Sequence, residues 1–518
     1  MPTAMQKYFG PVGAPAARVP SSGRSAITKA LQAVLPALTI YRESPCSVPG
    51  GLVAAAREGE QRVILACGPL ESLKGRTSQV DGTRVAVCPA DSENMAALRA
   101  LVPHLRVRLP GSRPSVGLGD RLGLGTPGHI EAAKKSGFFL VLAQQSIREM
   151  QRTGRSAQQV LDEAAFGVFQ SGYDAGFGSD ADHLKTPEDV DLTAAAGFNL
   201  FTIDPSPHVD DTVAGADPGL LGAKFEKLLF DGVPGAREWR KKYAGLTFSA
   251  GAVEITFDEA TLLCAAVKYG RAVAHVEKMA RHIAGRVPEH EIELSVDETA
   301  LPTSAAEHLF IVHELKERGV KINSLAPRFV GDFEKGIDYK GDLRFFEESL
   351  KQHCAIAEHY GPYKLSIHSG SDKFSLYPIV ARVTRGWFHV KTAGTSYLEA
   401  LRVVARRDAP FFRELAGFCR GHYENDRKTY HVSAVLNEVP PPEQLDDAAL
   451  ERVYLDENAG RQILHVTFGT VLTCEEGGQK KYRGRLLSLL NREAATYVDV
   501  LKKHIGRHIA GLKTDRRR

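Results

Sequence analysis

One local pattern recurs five times in this chain and limits its fold more than any other feature. A helical stretch ends, a glycine follows, and a short apolar strand begins at once and closes on polar residues. The five cases are Gly137 before FFLVLAQQ, Gly197 before FNLFTID, Gly319 before VKINSLAP, Gly361 before PYKLSIHS and Gly386 before WFHVKTAG. Glycine suits the left-handed cap that closes a helix because it has no Cβ to clash. Three further strand-like runs, SVGLGD from Ser115, AGFGSDAD from Ala175 and HEIELSVDE from His290, complete a series of eight. Strands alternating with helices in that number predict an α/β fold, a (β/α)8 TIM-type barrel, in preference to an open doubly wound sheet.

At 518 residues the chain is longer than one barrel needs. The sequence predicts a small N-terminal α/β appendage over 1–110, the barrel over 111–423, and a C-terminal extension packing on the barrel over 424–518. The appendage rests on the strand-like RVILACG and TRVAVCPA and a helix over 92–102. The widest gap between barrel strands, 208–288, predicts a helical insertion that includes one helix over 258–286. In the extension, RQILHVTFGTVL reads as a strand and 482–512 as a polar helix.

Charge and cysteine usage narrow the class. With 66 basic and 62 acidic residues the net charge is +4, too balanced for a broad nucleic-acid footprint. Arg516, Arg517 and Arg518 form the one basic run and read as a solvated tail. Seven scattered cysteines without CxxC spacing fit neither a disulfide framework nor a zinc ribbon, so a reducing cytoplasm is expected. No apolar run is long enough for a membrane span, and the first residues do not read as a secretion signal.

A barrel places its chemistry at the C-terminal ends of its strands, and here those ends are polar. Gln144 and Ser146, Asp182 and His183, Asp204, Glu293, Arg328, Lys364 with His368, and Lys391 all fall there. Period-two alternation sets Ile292, Leu294 and Val296 on one face and Glu291, Glu293, Ser295 and Asp297 on the other; it also groups Lys364, Ser366 and His368. Carboxylates and imidazoles converging from separate strands suit a divalent cation such as zinc, manganese or nickel. His183 and His368 are the first candidate ligands, with Glu293 or Asp332 next. His504 and His508, four apart in the polar terminal helix, read as a solvent-facing pair, and His308 and His313 as packing or surface residues. Gly117-Leu-Gly119 follows a strand and precedes a helix, but the spacing departs from a dinucleotide-binding turn, which predicts a barrel loop near substrate instead. The chain holds no GxxxxGK[ST], HExxH or GxSxG.

Long blocks of the sequence resemble the tagaturonate/fructuronate epimerase family. They are LAQQSIREMQRTGR, GFGSDADHLKTPED, FTIDPSPHVD, SVDETALPTS, SLAPRFVGDFEKGIDYKGDL, YKLSIHSGSDKFSLYP and HVKTAGTSYLEALR, and the likeness runs from about residue 114 to the terminal helix. The resemblance implies a metal-dependent isomerase of hexuronate catabolism that interconverts D-fructuronate and D-tagaturonate, a small sugar acid being its substrate, with no nucleic-acid or membrane partner. On that reading Asp182 and Glu293 form the acid/base pair, while His183, His368 and Asp332 hold the cation. Gln144, Ser146, Asp204, Arg328, Lys364, Ser369, Ser371 and Lys391 then grip the substrate. Three rivals stand beside it: a nicotinamide-dependent sugar epimerase, a metal-dependent aldolase or isomerase of keto sugar acids, and a non-catalytic sugar-acid sensor.

Overall fold

Every residue of the strand Phe139–Ser146 is buried, as expected of a parallel strand covered on both faces inside a ring of helices. The computed structural model describes residues 6–80, 82–213 and 215–513; the basic run at Arg516 to Arg518 and the first five residues lie outside them. Eight parallel strands form the barrel: β1 (Ser115–Leu118), β2 (Phe139–Ser146), β3 (Gly178–Leu184), β4 (Leu200–Ile203), β5 (Glu291–Ser295), β6 (Ser324–Ala326), β7 (Lys364–Ile367) and β8 (Phe388–Thr392). They pair in chain order, and β8 closes onto β1 through Val390 beside Val116 and Lys391 beside Gly117. The helices after the strands start where the sequence supplies caps. Ser146 with Glu149, Thr186 with Asp189 and Ser304 with Glu307 each form a reciprocal capping box.

Four of the five marker glycines, Gly137, Gly197, Gly319 and Gly386, adopt positive φ between 71° and 99°. The fifth does not. Gly361 has φ −97°, and a Cβ there would stand 2.4 Å from the Ala357 carbonyl oxygen, so close backbone approach is what requires glycine.

The N-terminal segment is an antiparallel sheet, with Gly51–Glu58, Gln61–Cys67 and Thr83–Pro89 at its centre and the helices Ser21–Val34 and Ser92–Leu101 beside it. Between β4 and β5 lie the helices Pro218–Phe230 and Ala236–Tyr243, then a hairpin (Leu246–Ala250 with Val253–Phe257) that the sequence reading missed. The helix Glu259–Arg286 follows, capped by the Asp258 carboxylate on the Thr261 amide. All seven cysteines are unpaired. Among the described residues no helix is long and apolar enough to cross a membrane.

Two expectations for the extension are corrected. RQILHVTFGTVL is helical, within Asn458–Val466 and Phe468–Thr473, and largely buried. A run apolar on all sides looks the same to periodicity whether it is strand or buried helix. The region 482–512 is two helices, Arg483–Arg492 and Ala494–Gly511, and His504 and His508 point inward. Asp372, in the loop after β7, draws them in: His504 Nε2 lies 2.6 Å from Asp372 Oδ1 and His504 Nδ1 3.3 Å from Glu399 Oε1. Burial pushes His504 down, but Glu399 and Asp372 outweigh it and raise its proton affinity. His308 is a packing residue, hydrogen-bonded to His353 and Tyr363 at 2.8 Å each.

Candidate active site

A cavity of about 490 Å³ opens at the C-terminal mouth of the barrel. Its floor is built around Lys391 on β8, whose Nζ lies 2.7 Å from each of Asp180 Oδ2, Asp182 Oδ1, Glu293 Oε1 and Thr202 Oγ1. Alternation along β3, β4, β5 and β8 turns all five side chains inward, Asp180 and Asp182 reaching the ammonium from successive levels of β3. One ammonium thus faces three buried carboxylates. Burial raises Asp180 to about 6 against the pull of Lys391, with Asp182 and Glu293 adding to the rise. Burial also raises Asp182, but Lys391, His183 and His368 outweigh it and hold that carboxyl well below the usual range.

Above this floor two imidazoles meet, with ring centroids 5.1 Å apart. Each is fixed by a buried carboxylate: His183 Nδ1 lies 3.2 Å from Asp204 Oδ2, and His368 Nε2 lies 2.6 Å from Glu293 Oε1. The remaining nitrogens face carboxylates of the cavity, His183 Nε2 at 3.9 Å from Asp182 Oδ1 and His368 Nδ1 at 3.3 Å from Asp297 Oδ1. Burial lowers both rings, yet Asp182 and Asp204 bring His183 up to about 10, and Asp297 and Glu293 bring His368 up to about 9. The field at this point favours positive charge.

That field and its donors fit a divalent cation. Asp182, His183 and His368 offer ligand atoms within 4.8 Å of one another, and each imidazole has the outer carboxylate that orients a metal-binding histidine. The cluster of Asp372, His504 and His508 fits poorly by comparison. His508 Nε2 already accepts the Asp372 backbone N–H at 3.0 Å, its Nδ1 donates to the His504 carbonyl, and Arg461 sits 2.8 Å from Asp372 Oδ2. It serves as a clamp between the β7 loop and the terminal helix.

His183 reaches the site by an irregularity. On a regular strand it would face the helices while Asp180 and Asp182 face inward. The register between β3 and β4 shifts between Ala181 and Leu184, and His183 takes φ 54°, which turns its ring toward His368. Such a φ in a non-glycine residue costs on the order of 1–3 kcal/mol, and Ser369 (φ 51°) and Asp372 (φ 62°) in the β7 loop share it.

Of the residues singled out in the sequence, Gln144, Ser146, Asp182, His183, Arg328, His368, Ser369, Ser371 and Lys391 line the cavity. Four do not, each for a physical reason. Glu293 is fully buried beneath His368, engaged by Lys391, His368 and Ser324, so it orients groups and has no face on the cavity. Asp204 stands behind His183. Lys364 shares the inward face with His368 but lies four residues earlier, roughly 13 Å deeper by strand rise, where its Nζ meets Ser115 Oγ at 3.0 Å. Asp332, offered as a metal ligand, pairs with His431 in an exposed contact apart from the two imidazoles.

Sequence reasoning missed other cavity residues: Arg148, Glu149, Lys335, Tyr430 and His465. Arg148 and Glu149 open the helix Ile147–Thr153 after β2, Lys335 is in the loop after β6, and Tyr430 and His465 come from the extension, where strand alternation points at no site. The glycines of Gly117-Leu-Gly119 are explained by packing, since a Cβ on Gly117 would meet Gln144 Oε1 at 2.3 Å and one on Gly119 would meet Ala393 Cα at 2.9 Å.

A closed barrel whose mouth gathers oriented imidazoles, a lysine and ionised carboxylates has the architecture of a (β/α)8 enzyme. Comparison with known proteins carries this further. The chain belongs to the tagaturonate epimerase family (UxaE), whose family model matches residues 42–512, and it is therefore an isomerase. The match begins well before residue 114, so the N-terminal sheet is part of the family's architecture. A tagaturonate/fructuronate epimerase of Thermotoga maritima is 44% identical over 436 residues, 84% of this chain and 88% of that one. Two crystal structures of the fructuronate-tagaturonate epimerase of Cohnella laeviribosi also match. The glycerol complex has TM-score 0.87 at 37% identity over 94% of this chain and 99% of that one; the native form has 0.87 at 36% over 95% and 99%.

Proposed function

We infer that this enzyme interconverts D-fructuronate and D-tagaturonate by breaking and remaking a carbon–carbon bond, with a divalent cation at the imidazole pair. The observation that carries the reading is the meeting of Asp182, His183, Asp297 and His368 at one cavity in a chain of this family. His183 and His368 would hold the cation, zinc, manganese or nickel, with an Asp182 oxygen within reach. When bound, it supplies Lewis-acid polarisation of the substrate's oxygens.

The carbon that inverts lies β to the ketone, so its C–H is not acidified by the carbonyl and simple enolisation cannot invert it. Its hydroxyl is the group to deprotonate. Asp182, held ionised, accepts that proton; the O–H electron pair forms an aldehyde C=O, and the bond to the α carbon breaks toward the ketone. The aldehyde then turns, and the α carbon adds to its other face. Burial raises Asp297, but His368 outweighs it and keeps that carboxyl ionised too, so it is the acceptor for the opposite epimer. The new hydroxyl takes a proton that Asp297 relays from water in the open cavity, and Asp182 returns its own to water, so each carboxylate plays the other's part in the reverse direction. Glu293 and Asp204 hold the two rings, and Lys391 fixes Asp182. Seven unpaired thiols favour a reducing, cytoplasmic setting.

The test is to incubate chelator-treated protein with D-fructuronate in D2O, with and without manganese, nickel or zinc, and follow the sugar by NMR. Tagaturonate is expected only with metal, and with protium retained at the inverted carbon. Metal-independent turnover, or deuterium at that carbon, overturns the reading.

A further inference from the structure

Five lysine and arginine side chains line the cavity: Arg121, Arg148, Arg328, Lys335 and Lys391. Three are committed to carboxylates of the protein. Lys391 holds its three acids, Arg121 lies 2.9 Å from Glu149, and Arg148 lies 3.3 Å from Glu298. Among the described residues Lys335 and Arg328 make no ion pair, and both belong to the loop after β6. Lys335 Nζ is held by Ser369 Oγ at 2.6 Å, and Arg328 Nε is buried without a partner. The Ser369 contact comes from a residue at φ 51°, directly after His368. A cationic corner is thus anchored beside the imidazole pair, with no carboxylate of the protein in direct contact.

We propose that Lys335, steadied by Ser369 and joined by Arg328, receives the substrate's carboxylate and is the residue that selects keto sugar acids over neutral ketoses. The proposal deepens the functional reading above and rests on it for the identity of the substrate. Chemistry favours this corner over Lys391 and Lys364, which were the sequence candidates. Lys391 has no donor to spare, and Lys364 is below the cavity. Burial pushes the Lys335 ammonium below its ordinary proton affinity and Arg148 adds to the fall, more than Asp297, Glu298 and Glu149 restore, so an incoming carboxylate relieves a standing cost.

The experiment compares metal-loaded wild type with Lys335→Met and Lys335→Arg on D-fructuronate and on D-fructose, in which a hydroxymethyl group replaces the carboxylate. Losing one charge-assisted contact should lower kcat/KM for the acid on the order of 30-fold, mainly through KM, and leave the neutral sugar within about threefold. Lys335→Arg should recover most of the loss. An equal fall on both sugars, or none on the acid, overturns the proposal. A calorimetric arm with D-glucuronate against D-glucose reads recognition without turnover. Wild type should prefer the acid and Lys335→Met should lose that preference, even if the reaction proves to be a different one; a preference retained by Lys335→Met, or absent in wild type, overturns the assignment.

Discussion

Asp182→Asn is expected to lower kcat by about a thousandfold at saturating metal, the scale of a lost general base. The amide keeps the shape of the carboxylate and its acceptor oxygen for Lys391, so the fold should hold. What it loses is the ability to take the hydroxyl proton. Because Asp182 also lies among the candidate ligand atoms, the assay has to be run across metal concentration. Steady-state kinetics beside metal content by elemental analysis decides the role. Low kcat with metal bound assigns Asp182 to proton transfer, whereas recovery of activity at high metal would make it a ligand alone.

Lys391→Met should instead strike the fold. Three carboxylates, Asp180, Asp182 and Glu293, are organised around this one ammonium, and both Asp180 and Glu293 are 0% exposed. Removing one partner from a buried ion pair costs about 3–5 kcal/mol, because the remaining charge is left without compensation. With three acids sharing the lysine the loss should sit at the upper end, read as a drop in denaturant midpoint or as insoluble protein. Adding Asp180→Asn and Glu293→Gln to Lys391→Met should recover a substantial part, since neutral amides do not repel one another. A triple variant no more stable than the single one would contradict this account of the barrel floor.

How much of this was legible in the sequence follows from which features are periodic. The barrel was legible because glycine caps and alternating strands are local, and both repeat. The inward set on β5 was legible for the same reason, since Glu291, Glu293 and Ser295 obey the pleat. Depth was not. Alternation says that Lys364 and His368 share a face but not that several strand residues of height separate cavity from floor. Glu293 shows the same limit, because a strand-end position did not reveal that His368 would cover it. His183 is marked in the sequence by its strand-end position and by the family-like block around it, whereas regular pleating would have turned it away; the bulge that rescues it leaves no mark in the sequence. The terminal histidines failed in the other direction. A helix rich in lysine and arginine reads as exposed, and only the distant Asp372 and Glu399 explain why His504 is inside. Lys335 lies in an irregular loop, and what singles it out, the absence of a direct ion pair, is a property of the assembled cavity rather than of any motif.

The proposed cation site lies where β3 and the end of β7 bring the His183 and His368 imidazoles together. Anomalous diffraction from crystals grown with manganese tests it most directly. One strong peak is expected between the His183 and His368 rings, lost in His183→Ala and His368→Ala. A peak at Asp372, His504 and His508 in its place, or manganese bound undiminished in both alanine variants, would contradict it.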